Sequence, residues 1–186
     1  TPYHIRHRTE VAGFMTILHG DDRIYNNIFA QVAPVTKKDK TAADTDYEVV
    51  GTAPFDIFPT YEEWIKNFMM DREPDMGPLA QYHFGHLPVW VGGNAYFNGA
   101  TVCKHERDNL VGTKSAKAKI SLKGGALKSN LAELIGDYKT GVITTAILGA
   151  AFEPEQKFEN RDGTDIIFNE DFFGNHRGTH VIPGPI

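Results

Sequence analysis

Thr9-Glu10-Val11-Ala12-Gly13-Phe14-Met15-Thr16-Ile17-Leu18-His19-Gly20-Asp21-Asp22-Arg23-Ile24-Tyr25-Asn26-Asn27-Ile28-Phe29 reads as two short strands joined by a polar corner. Both flanking runs are rich in apolar, β-branched and aromatic residues. His19-Gly20-Asp21-Asp22 is the corner, because Gly supplies unusual backbone angles and Asp bonds its own backbone. The later half has a second copy downstream: Ile24-Tyr25-Asn26-Asn27-Ile28-Phe29-Ala30 lines up with Ala95-Tyr96-Phe97-Asn98-Gly99-Ala100-Thr101. This alignment matches Tyr25 with Tyr96 and Asn27 with Asn98. A repeat of that kind implies a β-solenoid, in which stacked parallel strands build apolar columns and corner Asn side chains satisfy the rungs above and below. Asn27 and Asn98 are the candidate ladder residues; the bland alternative is a pair of ordinary Asn turns.

Composition sets the bounds. The chain has 186 residues, 41% hydrophobic and 23% charged, enough for one domain with a core. A net charge of −5 and an isoelectric point near 5.9 argue against a general nucleic-acid binder, which needs a basic stripe. No apolar run is long enough to span a bilayer, no signal peptide is recognisable, and the compartment stays unknown. The single Cys103, in Thr101-Val102-Cys103, allows no internal disulfide and reads as a small buried residue rather than a nucleophile. The start at Thr1-Pro2-Tyr3 shows no solenoid cap and the finish at Val181 to Ile186 reads as mid-element, so a piece of a larger enzyme is expected.

Along the chain, residues 3–8 alternate like a strand with one wet face, and Glu10 continues it. Residues 35–46 are charged and unpatterned, a solvated loop, with a short strand at 49–52. Pro59-Thr60-Tyr61-Glu62-Glu63 opens a helix with Thr60 as N-cap and acids in the first turn. Trp64, Ile65, Phe68 and Met69 form its apolar stripe, which Pro74 ends; Trp64 reads as core rather than as a sugar platform. β character returns over 77–103. Residues 118–123 alternate as a half-exposed strand before a Lys123-Gly124-Gly125-Ala126 hairpin turn. A short helix follows, with Asn130 as N-cap and Gly136 beyond its end. Residues 142–151 suit either strand or helix, Arg161-Asp162-Gly163-Thr164 is a turn, and 166–168 suit a strand. The expected fold is mainly β: part of a right-handed parallel β-helix, with rungs over 1–33, a loop and helix insertion over 34–78, and a continuation over 79–186.

The stretch from His7 to Phe29 resembles right-handed parallel β-helix glycoside hydrolases, nearest to the β-xylosidases of glycoside hydrolase family 120. Leu87 through Ala100, Ala151 to Gln156 and Asn169 to Gly178 share the resemblance. It implies a two-carboxyl glycosidase acting on xylo-oligosaccharides or related plant glycans, with no cofactor and no metal. Retaining enzymes hold their two carboxyls roughly 5–5.5 Å apart, a distance that adjacent rungs supply at about 4.8 Å. Glu10, beside His4, Arg6, His7 and Arg8, is the candidate acid/base; against this stands an ordinary surface salt bridge. The resemblance places an Asp nucleophile about one rung before it, which runs off the front of this chain.

Asp22 is the outside alternative, with His19 near to tune it, although a turn role suits both Asp21 and Asp22. His7, Arg8, His19, His86 and Trp90 are candidate substrate-binding residues, since an aromatic face packs on pyranose C–H groups and imidazole bonds hydroxyls. Trp90 equally suits packing inside a rung. His83, His86 and His105-Glu106 lack the spacing of a zinc motif. His176, Arg177 and His180 form a polar cluster with no assigned mechanism. The expected partner is an oligosaccharide or polysaccharide, with neither nucleic acid nor membrane; a homo-oligomer or a missing part of the same polypeptide is also allowed. The alternatives are a β-helix polysaccharide lyase, disfavoured by the acidity, and a non-catalytic carbohydrate-binding or assembly module.

Overall fold

In the computed structural model, residues 20–31, 50–68, 86–113, 115–124, 126–152 and 155–185 are described. The expected strand over 3–8, the segment from Thr9 to His19, the loop over 35–46, and the Met69 and Pro74 end of the helix lie outside them. The chain divides into two units that interleave in sequence. Among the described residues, one unit contains 20–23, 57–68, 86–90 and 143–167, and the other contains 24–31, 50–56, 91–142 and 168–185. The architecture is mainly β with few helices, as expected.

The second unit is built on parallel pairing. Strands β1 (Arg23–Tyr25) and β2 (Ile28–Ala30) precede β3 (Trp90–Gly92) and β4 (Ala95–Phe97), and β5 is Leu110–Val111. β1 lies beside β3, while β2, β4 and β5 form a three-stranded sheet in that order. β2 is parallel to β4, with Ile28 opposite Ala95, Phe29 opposite Tyr96 and Ala30 opposite Phe97; β4 is parallel to β5. Gly51 makes a further parallel bridge to Thr101, where the short strand over 49–52 was expected.

This register corrects the repeat read from sequence. Tyr96 stacks on Phe29, not Tyr25, with ring centroids 5.2 Å apart and planes 14° from parallel. The repeat spans 67 residues, pairing Asn27 with Asn94 and Gln31 with Asn98. Because side chains alternate along a strand, in-register parallel pairing stacks like faces. Ile28 and Ala30 therefore join Ala95 and Phe97 on the face that meets Ala116, Leu134, Ile135, Tyr138 and Ile182. Tyr96 points the other way and is fully buried, so β4 is covered on both sides, as parallel strands commonly are.

Corner Asn side chains bond segments distant in sequence. The Asn98 side chain accepts from the Ala116 N–H at 2.7 Å and donates to the carbonyls of Ala116 and of Gln31, the latter at 3.0 Å. Asn26, at φ 54°, donates to the Gly141 carbonyl at 3.0 Å and accepts from the Thr140 hydroxyl at 2.8 Å. Gly93 sits against it at φ 69°, where a Cβ would stand 2.3 Å from the Asn26 Oδ1. Glycine is required there by both angle and space.

The rest of this unit is local in origin. Strands β6 (Ile120–Lys123) and β7 (Ala126–Ser129) form the expected antiparallel hairpin, with Lys123 opposite Ala126 and Gly124 at φ 60° in the turn. Helix α2 (Leu131–Ile135) starts after Asn130 and ends at Gly136, φ 62°. The Asn130 side chain makes no cap bond to its helix. It accepts from the Lys119 N–H at 2.8 Å and donates to the Lys117 carbonyl at 2.9 Å, tying helix entry to the hairpin. Strand β8 (Thr140–Gly141) pairs antiparallel with β9 (His180–Val181).

In the first unit, helix α1 (Tyr61–Phe68) opens with a reciprocal capping box. The Glu63 N–H donates to the Thr60 hydroxyl at 3.2 Å, and the Thr60 N–H donates to the Glu63 carboxylate at 2.8 Å. Trp64 packs edge-on against Phe152 at 4.5 Å, in keeping with a core role. The ambiguous stretch over 142–151 resolves as one helical turn, α3 (Thr145–Leu148), after a bridge between Thr144 and Ile167. The expected strand over 166–168 amounts to isolated bridging. No helix of the described residues is long and apolar enough to cross a membrane.

Candidate functional site

Of the residues singled out for chemistry, Glu10, His7, Arg8 and His19 lie outside the described residues. Asp22, His86 and Trp90 are described, and all three belong to the first unit. Asp22 is exposed at the entry to β1, where its carbonyl accepts from the Trp90 N–H at 3.0 Å. The exposed carboxyl is thus held on a fixed piece of backbone. His86 is half-buried, its ring 4.3 Å from that of Phe58.

Trp90 is engaged by a residue that the sequence reading passed over. The Arg23 guanidinium lies over the Trp90 ring at 3.5 Å from its centroid and also faces Phe158 at 5.0 Å. Its Nε donates to the Leu148 carbonyl at 2.9 Å, one terminal nitrogen to the Ala150 carbonyl at 2.8 Å, and the other to the Asp21 carbonyl at 2.8 Å. That last nitrogen also meets the Asp21 carboxylate at 2.7 Å. The Asp21 carboxylate in turn accepts from the Phe152 N–H at 2.8 Å. Asp21 adopts φ 62°, a left-handed corner. The acidic pair therefore divides its labour: Asp21 is a structural clamp, whereas Asp22 presents its carboxyl to solvent. A guanidinium planar enough to stack and forked enough to reach three carbonyls could not be replaced by an ammonium.

The second unit contains a different polar centre. Glu106, 8% exposed, accepts at Oε1 from the Asn94 N–H at 3.2 Å and the Asn94 Nδ2 at 2.7 Å. At Oε2 it accepts from the Tyr96 hydroxyl and, at 3.3 Å, from Thr52. Asn94 also donates to the Ile24 carbonyl at 3.0 Å and accepts from the Asn27 N–H at 2.8 Å, so it links the β1–β2 segment to the start of β4. Burial first, and then the bond to the Glu106 carboxylate, push the Tyr96 phenol far above its ordinary value. Among the described residues, every donor that bonds Glu106 is neutral. Sequence reading missed it because His105-Glu106-Arg107-Asp108 looks like a solvated charged run. The available signal was Asn94, an Asn opening the strand that pairs with Asn27.

Cys103 is 2% exposed and burial pushes its thiol up, as suits a packing residue. Among the described residues no three His, Cys, Asp or Glu side chains converge on a metal-sized space. Near the end, the Arg177 guanidinium donates to the Ile182 carbonyl, and the His176 ring accepts from the Gly178 N–H at 3.0 Å. That cluster is accounted for by loop architecture.

No protein-family model matches the chain, and no curated protein matches it. A solved structure does, XylC in complex with xylose, with a TM-score of 0.67 and 26% identity over 90% of this chain. The chain spans 24% of the length of that protein.

Proposed function

We propose that the chain forms part of a right-handed parallel β-helix glycoside hydrolase acting on xylose-containing glycans. The observation that carries this is the likeness to xylose-bound XylC across nine-tenths of the chain. The parallel β2-β4-β5 register and the Asn27–Asn94 and Gln31–Asn98 pairs, each 67 residues apart, support the fold, with 34–78 inserted between rungs.

The chemistry follows the two-carboxyl scheme. Glu10 acts as general acid, protonating the leaving glycosidic oxygen, and then as general base on the incoming water. The nucleophilic carboxylate, by the family resemblance, comes one rung earlier. Asp22 is the alternative carboxyl, with His86 and Trp90 as sugar contacts and His7, Arg8 and His19 completing the lining. Arg23 is too fully bonded to serve as the base a lyase would need.

The test is hydrolysis of two β-xylosides, one with a good aryl leaving group and one with a poor alkyl one, by the protein carrying this sequence. Glu10→Gln is expected to lower kcat/KM for the alkyl substrate by about 10²–10⁴-fold and for the aryl one much less, because only the former needs the proton for bond cleavage. Equal turnover by Glu10→Gln and the parent on both would remove Glu10 from the mechanism. Binding of xylose without turnover would leave a non-catalytic module.

A further inference from the structure

Arg23 and Trp90 belong to one unit, and they are anchored to very different degrees. The Trp90 backbone N–H bonds the Asp22 carbonyl, which seats Arg23 beside Trp90, with the guanidinium 3.5 Å from the ring centroid. The Arg23 side chain is 7% exposed, and each of its three nitrogens is bonded, to Leu148, Ala150 and Asp21. Asp21 is held in turn by the Phe152 N–H. The place of the cation is therefore set by segments 21–23 and 148–152, without help from Trp90.

Trp90 is the opposite case. It is half-buried, and its side chain makes no hydrogen bond and no ring-to-ring contact among the described residues. Its indole N–H is not one of the buried polar atoms left without a partner, so it reaches water. A tryptophan with one end packed and the other wet suits a contact surface, where the N–H takes a partner from outside. Among the described residues the Arg23 guanidinium is the only polar or aromatic group against the ring. A cation over an indole face is attracted by the ring quadrupole, so a fixed guanidinium fixes the ring.

We propose that Arg23 is a positioning residue for the sugar site: it holds the Trp90 indole so that its N–H donates to a hydroxyl of the xylose-containing glycan. This rests on Trp90 as a sugar contact, put forward above, and adds the residue that makes it one. Arg23 itself neither touches the glycan nor moves a proton. A purely structural Arg23 would change how much protein is folded, and hence kcat, while leaving KM and sugar affinity as they were.

Xylose titration followed by Trp90 emission tests it, in the Trp64→Phe protein, where Trp90 is the only tryptophan. Xylose should change that emission saturably. Arg23→Lys, which keeps the charge but loses the planar fork, should weaken xylose binding about tenfold. On the aryl β-xyloside the same substitution should raise KM about tenfold and leave kcat within about twofold. In a Trp90→Leu protein, Arg23→Lys should raise KM no further, because its effect passes through the indole. If Arg23→Lys loses its circular-dichroism signature, Asp21→Asn, which removes one anchor of the guanidinium, takes its place with a smaller shift in the same direction.

A saturable response that Arg23→Lys leaves unchanged overturns the proposal and spares Trp90 as a sugar contact. KM effects of Arg23→Lys and Trp90→Leu that multiply in the double variant overturn it as well. Emission that does not respond to xylose overturns the Trp90 contact and the proposal together, while turnover of the β-xylosides decides the glycosidase reading separately.

Discussion

Arg23 and Glu106 are both charged side chains withdrawn from water, one in each unit, and they are compensated in opposite ways. Arg23 meets three carbonyls, one carboxylate and two aromatic faces. Glu106 meets four donors, all of them neutral, and no cation. The cation gathers segments distant in sequence by collecting their loose carbonyls. The carboxyl ties neighbouring strand segments together from within, through Asn94, Tyr96 and Thr52. Burial without full satisfaction would be costly in either case, and the difference lies in where the cost falls on removal.

Glu106→Ala should be the most damaging substitution, about 3–5 kcal/mol in urea unfolding, because it strands the buried Asn94, Tyr96 and Thr52 donors together. Glu106→Gln keeps the shape but turns an N–H toward donors, and should cost about 1–3 kcal/mol. Arg23→Ala is expected to cost about 2–3 kcal/mol, less than Glu106→Ala because the Ala150 contact reaches solvent. Equal losses for Arg23→Ala and Glu106→Ala would break the comparison. Arg23→Lys should recover less than half, since an ammonium cannot fork or stack. Asn98→Ala, which removes one ladder, should cost about 1–3 kcal/mol. Thr60→Ala, a lost cap, should cost about 1 kcal/mol.

Alkaline titration sharpens the comparison from another side. The Tyr96 phenol is raised far above its ordinary value by burial and Glu106, and burial followed by Asp108 raises Tyr138 to about 12. Above pH 10 the unfolded chain releases these protons while the folded chain keeps them, so stability falls as pH rises. Tyr138→Phe should remove the Tyr138 share of that fall, which ends near pH 12, and leave the Tyr96 share. At the acid end, bonds from Thr164 lower Asp162 and bonds from Asn175 lower Asp171. The stability they contribute is present above the ordinary carboxylate range and is lost as pH drops through their lowered values.

The elements legible in the sequence were those written locally. The Gly124 turn, the Thr60–Glu63 cap and the Gly136 helix end are each decided within a few residues, and each stands where the residues place it. The long-range role of the corner asparagines was also legible, since Asn27 bonds Asn94 and Asn98 bonds Gln31 beside the paired parallel strands. Their pairing was not, because matching Tyr25 to Tyr96 compares letters, whereas register is set by which face is buried, and that places Phe29 on Tyr96. Arg23 stayed hidden because its acceptors, Leu148 and Ala150, are backbone carbonyls that carry no side-chain signal. Asp21 and Asp22 look alike in sequence; only the fold separates the clamp from the exposed carboxyl.

The account rests most heavily on Glu10 as a proton donor to a xylose-linked oxygen. The ratio of kcat/KM on the poor-leaving-group β-xyloside to that on the aryl β-xyloside, compared between the parent protein and Glu10→Gln, tests it directly. The account expects this ratio to collapse in Glu10→Gln, with aryl turnover partly retained. A ratio unchanged by the substitution would contradict it.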